Sequence, residues 1–126
     1  MSDFPCWDMP VLYYFKISMN AAHRSFMYCW HRAEGGEAKN NPLNTTYKMA
    51  GATDYNQAGV KNYLTKRDGV TATIETLALS RYDKLRSLMK PAAPDWTAVA
   101  KEIEASGWGT SSSLLIAVCK SEGLIK

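Results

Sequence analysis

An amphipathic helix that ends at two glycines is followed in this sequence by thirty residues with no regular apolar pattern. From Asn20, a natural N-cap, to about Glu34, apolar residues recur at spacings of three and four. Gly35 and Gly36 then stop the helix. The segment from Glu37 to about Lys66 is rich in Asn, Thr, Gly and Lys. A long irregular segment inside a compact domain is usually functional, so we expect functional residues here.

Three more helices are expected after this segment, each with a polar cap and an apolar period. Asp68 precedes the first of them, Asp95 the second and Ser111 the third. Ser80 is a break within the first, and residues 91–94, which include two prolines, form a turn before the second. The apolar positions are Val70, Ile74, Leu77, Leu85 and Leu88, then Trp96, Val99 and Ile103, then Leu114, Leu115, Ala117 and Val118. These patterns predict a mostly α domain with one elaborate polar central loop.

The chain of 126 residues is about one domain long. Its first residues are aromatic, and Pro5 and Pro10 are expected to break any helix there. We therefore predict that residues 1–19 form an irregular strap across the domain and that residues 20–126 form the folded domain.

The charge balance argues against two classes of protein. Fifteen Lys and Arg against twelve Asp and Glu give a net charge of +3, too small for a dedicated nucleic-acid binder and too balanced for a disordered tail. Residues 61–90 carry seven basic and three acidic side chains, a local charge of +4, which is most simply a solvated helix face. The longest apolar run, Leu114 to Cys119, is far shorter than the roughly 18 residues that cross a bilayer, so we expect no membrane span.

Cysteine and histidine usage predicts neither a metal site nor another cofactor. Cys6, Cys29 and Cys119 are odd in number and widely spaced, without a CxxC pair. We predict free thiols in a protein made in a reducing compartment, with the last two buried, and keep a disulfide at Cys6 as the alternative. Carboxylates and imidazoles do not cluster at ligand spacing. His31, three residues before Glu34, fits a structural role better than a catalytic one.

Glu34 is the acidic residue that we single out as a candidate catalyst. It closes the first helix at the mouth of the polar segment, and Trp30 lies one turn earlier on the same face. An indole partly removes water from a neighbouring carboxyl group, which raises the pKa of that group toward the value that a general acid needs. A helix-terminal surface Glu is the simpler alternative, although the helix dipole disfavours a negative charge at that end.

The polar segment supplies the kinds of side chain that bind sugars. Amides suit hydroxyl and N-acetyl groups, and a flat aromatic ring suits the apolar face of a pyranose. Asn, Thr and Gly also satisfy the backbones of turns, which explains any one of these residues better than all of them together. The candidate substrate contacts are Asn44, Thr46, Tyr55, Asn56, Gln57 and Tyr63.

Several short motifs, in one order along residues 20–110, carry a resemblance to a known family. They are Trp30–Gly36, Asn41–Thr46, Gly51–Asn56, Gly59–Tyr63, Gly69–Thr73 with Thr76-Leu77, and Ser106–Thr110. In these motifs the chain resembles the lysozyme-like glycosidase domains of bacteriophage endolysins and tail-associated muralytic proteins. Those domains are relatives of the soluble lytic transglycosylases and goose-type lysozymes.

The resemblance implies an α+β lysozyme-like fold, in which the polar segment has room for a small hairpin. It also implies that Glu34 protonates the glycosidic oxygen between N-acetylmuramic acid and N-acetylglucosamine. The Gly51-Ala52-Thr53 segment and residues 55–57 fall where transglycosylases carry a Gly-Leu-Met-Gln element lining the cleft, although Leu-Met is absent here. Trp108 lies in a terminal Trp-Gly-Thr motif, and we expect its ring to pack within the fold.

A second carboxylate would separate the two mechanisms that the resemblance allows. A retaining hydrolase needs a nucleophile about 5 Å from the acid, and an inverting one needs a base at roughly 6.5 to 9.5 Å. The candidates are Glu37, Asp54 and Asp68, of which Asp68 is better explained as a helix cap. None of them is compelling, so a mechanism in which one Glu acts as acid and then as base stays open, as in the transglycosylases.

The sequence thus favours a peptidoglycan-cleaving glycosidase, a muramidase or a lytic transglycosylase, whose partner is the glycan strand. The alternative is a structural phage tail or baseplate protein that contacts other virion proteins and has little or no catalysis. A small helical nucleic-acid-binding domain that uses residues 61–90 is the third hypothesis. No secretory signal peptide is predicted in the first residues. We expect synthesis in the host cytoplasm and action at the bacterial cell wall, after lysis or from the virion.

Overall fold

The computed structural model describes residues 6–35 and 37–126 of the chain. Within them the chain forms six α-helices, a short 3-10 turn at Ser80–Tyr82 and one two-stranded antiparallel hairpin. The helices are α1 (Asp8–Tyr14), α2 (Ala21–Ala33), α3 (Lys66–Leu77), α4 (Asp83–Met89), α5 (Trp96–Ala105) and α6 (Ser112–Ser121). The strands are β1 (Thr53–Asp54) and β2 (Lys61–Asn62). The predicted mostly α fold with a polar central segment is confirmed.

Side-chain caps begin the helices for which the sequence predicted a cap most clearly, and a glycine ends α2. The Asn20 side chain accepts a hydrogen bond from the backbone N–H of His23 at 2.9 Å and begins α2. Asp95 and Ser111 cap α5 and α6 in the same way. After α2, Gly35 adopts φ +85°, a left-handed conformation that glycine takes without steric cost. These boundaries agree with the sequence prediction.

Asp68 is not the cap that the sequence predicted. The cap of α3 is Thr65, whose backbone is extended and whose hydroxyl accepts from the Asp68 backbone N–H at 3.0 Å. Asp68 lies in the first turn of the helix. Its negative charge interacts favourably with the helix dipole there, but its side chain does not cap the helix. The predicted break at Ser80 is confirmed, because a 3-10 turn separates α3 from α4 there.

The prediction of an irregular N-terminal strap is wrong for residues 8–14, which form α1. Pro10 lies in the first turn of this helix, where a missing backbone N–H costs no intrahelical hydrogen bond. Trp7, Val11 and Leu12 are buried in the common hydrophobic core. The segment therefore contributes to the interior of the domain. Pro5, the other proline of the prediction, lies outside the described residues.

The hydrophobic core lies between the helices and is rich in aromatic rings. Phe26 of α2 stacks on Trp96 of α5 with ring centroids 4.6 Å apart. Trp30 is fully buried at the other end of α2 and meets the edge of Trp108 at 4.9 Å. All three cysteines are free thiols, and Cys29 and Cys119 are buried, as predicted. None of the described helices has the length and apolar character needed to traverse a bilayer.

A buried polar cluster shapes the central segment. Asn41 is 1% exposed, and its side chain accepts from the Thr45 backbone N–H at 2.9 Å. The same side chain donates to the carbonyl oxygens of Thr45 and Lys61, both at 2.8 Å. The Tyr63 hydroxyl adds a bond to the Thr45 hydroxyl at 3.0 Å. These bonds fasten the start of the segment to the hairpin, so an irregular backbone is held in one shape.

Candidate active site

Glu34 lies at the C-terminal end of α2 and points toward residues from two distant parts of the chain. Its backbone keeps helical angles, so the side chain leaves the helix just before Gly35 turns the chain away. Thr110, 76 residues later, donates its hydroxyl hydrogen bond to Glu34 Oε2. Asn44 donates from Nδ2 to Glu34 Oε1 at 3.1 Å and to the Glu34 carbonyl oxygen at 2.7 Å. The carboxyl group is thus held from both sides.

Two indoles complete the surroundings of this carboxyl group. Trp30 Nε1 donates to the Thr110 hydroxyl oxygen at 3.4 Å, so the same hydroxyl accepts from Trp30 and donates to Glu34. The side chains of Trp30 and Trp108 also favour the charged form of the carboxyl group, to a smaller degree than Thr110 and Asn44 do. Trp108 packs edge-on against Trp30 and Tyr82, as the sequence predicted for its ring.

The pKa of Glu34 is raised above its ordinary value, and burial is the main cause. The hydrogen bonds from Thr110, Asn44, Trp30 and Trp108 favour the charged form and oppose this shift only in part. The C-terminal end of the α2 dipole acts in the same direction as burial. The carboxyl group therefore holds its proton to a higher pH than a free Glu does. The sequence predicted this direction but assigned it to Trp30, whose side chain instead favours the charged form.

Asn44 is the predicted contact residue that the structure brings to Glu34. Its backbone adopts φ +57°, a left-handed conformation that Asn tolerates better than most residues. This conformation lets one amide group reach both the carbonyl and the carboxyl oxygen of Glu34. Asn44 thereby ties the polar segment to the end of α2.

Four other predicted contacts lie in or near the hairpin, at exposed positions. Thr46, Asn56 and Gln57 are exposed. The Asn56 side chain accepts from the Val60 backbone N–H at 3.2 Å and thus stabilises the turn between the strands. Tyr55 is exposed, and its hydroxyl donates to Glu37 Oε2 at 3.1 Å. None of these four makes a hydrogen bond to Glu34 in the described part of the chain.

Tyr63 lies inside the domain, with only 1% of its surface exposed. Its hydroxyl donates to the Tyr47 carbonyl oxygen at 2.6 Å and meets the Thr45 hydroxyl. Burial raises its pKa, so the hydroxyl stays protonated and can keep donating. The ring offers no surface to a ligand, and its contribution is to the shape of the polar segment.

Each carboxylate considered as a second catalytic group has another local partner or role. Glu37 accepts from Tyr55. Asp54 forms an ion pair with Lys61, and the hydrogen bond and charge of Lys61 hold the pKa of Asp54 below its usual value. Asp68 lies in the first turn of α3. Within residues 6–35 and 37–126, no Asp or Glu shares a hydrogen-bond donor with Glu34.

Both histidines serve structural roles. His31 Nδ1 lies 2.6 Å from the Pro42 carbonyl oxygen, and the ring is almost fully buried beside Trp7. His23 is fully buried between the Asn20 side chain and the Met89 carbonyl oxygen. The structural interpretation of His31 from the sequence therefore agrees with its position.

Sequence reasoning missed Thr110 as a partner of Glu34. The Trp108-Gly109-Thr110 run stood out only through the resemblance, and nothing local predicts which residue it faces 76 positions away. Across the described ranges, no group of three His, Cys, Asp or Glu side chains is placed to hold a metal ion. Comparisons with protein-family models, with curated proteins and with solved structures found no match to this chain.

Proposed function

We propose that this domain is a peptidoglycan-cleaving glycosidase in which Glu34 is the general acid. The observation that carries the proposal is the setting of the Glu34 carboxyl group, which is buried enough for a raised pKa yet held by hydrogen bonds from Thr110 and Asn44. A catalytic acid needs both properties, because it must hold a proton near neutral pH and aim it in one direction.

The same donors help the step that follows proton transfer. When Glu34 gives its proton to the glycosidic oxygen between N-acetylmuramic acid and N-acetylglucosamine, a carboxylate is left in a partly dry site. Thr110 and Asn44 then stabilise that negative charge without rearranging. The carboxylate also lies next to the positive charge that develops on the sugar ring, and can later take a proton back as a base.

Of the two reaction types, hydrolysis by a muramidase and lytic transglycosylation, we favour the second. Glu37, Asp54 and Asp68 are each engaged elsewhere, by Tyr55, by Lys61 and by the first turn of α3. A single carboxyl group that acts as acid and then as base needs no second protein carboxylate, because a hydroxyl of the substrate itself closes the ring. The expected product is therefore a 1,6-anhydro sugar end.

The exposed polar side chains of the hairpin region are the proposed sugar contacts. Thr46, Asn56 and Gln57 offer hydroxyl and amide groups, and Tyr55 offers an exposed ring for the apolar face of a pyranose. Asn44 joins this region to Glu34. In a phage, such an enzyme would be made in the infected cell and would reach the wall on lysis or within the virion.

Digestion of purified peptidoglycan in water enriched in ¹⁸O tests the proposal. We expect new 1,6-anhydro ends, detected by mass spectrometry, that carry no ¹⁸O. New reducing ends with ¹⁸O would identify a muramidase and contradict the single-carboxyl mechanism. Digests with no new sugar ends would end the enzymatic proposal and leave a glycan-binding structural domain, such as one in a phage tail or baseplate.

A further inference from the structure

A concave site lies beside the hairpin, and its lining includes neither Asn44 nor Thr110, the residues that hydrogen-bond the Glu34 carboxyl group. It is an open cavity of about 500 Å³ between the hairpin and the loop before it. Its lining combines two lysines and one aspartate with small and apolar side chains. The lining residues are Lys48, Met49, Ala52, Thr53, Asp54 and Lys61.

The charges in this cavity leave one positive charge in excess. Lys61 is committed to Asp54, with which it forms an ion pair, and its side chain is only 15% exposed. Lys48 is exposed and takes part in none of the ion pairs found among the described residues. It still acts on Asp54 through space, since its charge adds a smaller lowering of the pKa of Asp54 to the effect of Lys61. An anionic group that enters the cavity would therefore meet an available ammonium group.

The cavity and Glu34 are connected through the same short stretch of backbone. Asn44 binds Glu34, and the four residues of chain from Asn44 to Lys48 span at most about 14 Å. The Lys61 backbone N–H donates to the Thr45 carbonyl oxygen at 3.2 Å, which fixes the hairpin to this same stretch. A glycan chain bound at Glu34 could thus place a substituent in the cavity a few sugar units away.

We propose that this cavity is a subsite for a short acidic peptide, which in peptidoglycan is the stem carried by N-acetylmuramic acid. Such a peptide bears free carboxylates, an amine and several alanine methyl groups. Lys48 would pair with a carboxylate, and Met49 and Ala52 would contact the methyl groups. This assignment rests on the proposed function for its substrate class.

Binding can be measured without any cleavage. A synthetic stem pentapeptide with an acetylated N-terminus, N-acetyl-L-Ala–γ-D-Glu–L-Lys–D-Ala–D-Ala, is titrated into the ¹⁵N-labelled protein, and amide shifts are followed by NMR. We expect the shifts to concentrate on Lys48, Ala52 and Thr53. Lys48→Glu should weaken the affinity at least about fivefold, because it replaces an attractive charge contact with a repulsive one. Lys101→Glu, an exposed lysine of α5 outside this cavity, is the matched control and should bind as the wild type does.

A second arm tests the charge of the ligand. The same peptide with its carboxylates amidated should bind at least about fivefold more weakly than the free acid. No shifts in the cavity, equal binding by Lys48→Glu, or binding of glycerol phosphate oligomers in place of the peptide would overturn the subsite. The peptide contains no glycosidic bond, so loss of wall cleavage leaves this result intact. A protein that cleaves walls but ignores the peptide would refute the subsite alone.

Discussion

The Thr110 hydroxyl donates a hydrogen bond to Glu34 Oε2 while it accepts one from Trp30 Nε1. Thr110 is nearly buried, just before α6, and Glu34 ends α2. One side chain therefore links the two helices through the candidate acid. Because an indole N–H can only donate, Trp30 orients the Thr110 hydroxyl so that its own hydrogen points to the carboxyl group.

Thr110→Val should raise the pKa of Glu34 further and lower its reactivity. Thr110 favours the charged form of Glu34, so its loss leaves the carboxylate less stable. In the proposed mechanism activity needs the protonated acid, so the alkaline limb of the pH profile of wall cleavage should move to higher pH. The maximal rate should fall by roughly tenfold or more, since a hydrogen bond to a charged group contributes about 1.5–3 kcal/mol. Thr110→Ser keeps the hydroxyl, and a shifted limb in that variant would count against this role.

Glu34→Gln should stabilise the fold at neutral pH. The folded-state pKa of Glu34 is raised, so its contribution to stability is complete below the unfolded pKa and is lost as the pH rises through the folded pKa. Glutamine does not ionise and avoids this loss. We expect the Tm of the variant, relative to the wild type, to be higher at pH 7 than at pH 4. Thermal melts at both values measure the difference, and an equal Tm difference at the two values would show that Glu34 ionises as a free Glu does.

Thr65→Ala should destabilise the domain more than Asp68→Ala does. Thr65 accepts the hydrogen bond of the Asp68 backbone N–H, and loss of such a cap costs about 1 kcal/mol. Asp68 offers only a favourable charge near the helix N-terminus, which contributes about 0.3–1 kcal/mol. Urea unfolding of the two variants gives the comparison. A larger loss for Asp68→Ala would restore that residue as the cap.

Asn41→Ala should loosen the polar central segment. The substitution removes an acceptor for the Thr45 backbone N–H and two donors to backbone carbonyl oxygens in a buried place. We expect a loss of about 3 kcal/mol in the free energy of unfolding, because buried groups lose their partners. Faster amide exchange at Thr45 would locate the effect, and unchanged exchange there would show that Asn41 does not hold the segment.

The sequence predicted the helices that depend on local chemistry. A cap such as Asn20, Asp95 or Ser111 acts within four residues, so the start of its helix can be found in the order of residues alone. Helix α1 was missed because the effect of a proline depends on its place within the turn, and Pro10 lies where it costs least. That place is visible only once the start of the helix is known.

In the candidate site, too, the sequence predicted the local contacts and missed the long-range ones. Glu34 and Trp30 lie one helical turn apart, so the sequence predicted their proximity and the direction of the pKa shift, but not that the Trp30 side chain itself opposes the shift. The contact of Glu34 with Thr110 depends on how α2 and α6 pack, and no local pattern encodes it. Tyr63 was expected at a ligand, and its burial could not be predicted because the segment around it has no regular alternation of faces.

The most direct test of Glu34 as the general acid compares wall cleavage by Glu34→Gln and by Glu37→Gln. Cleavage is measured as new sugar ends released from purified peptidoglycan. The two residues are close in sequence, but only Glu34 is held by Thr110 and Asn44. Glu34→Gln should release new ends roughly a thousandfold more slowly than the wild type, and Glu37→Gln should stay near the wild-type rate. Cleavage by Glu34→Gln at close to the wild-type rate would contradict the assignment of Glu34 as the acid.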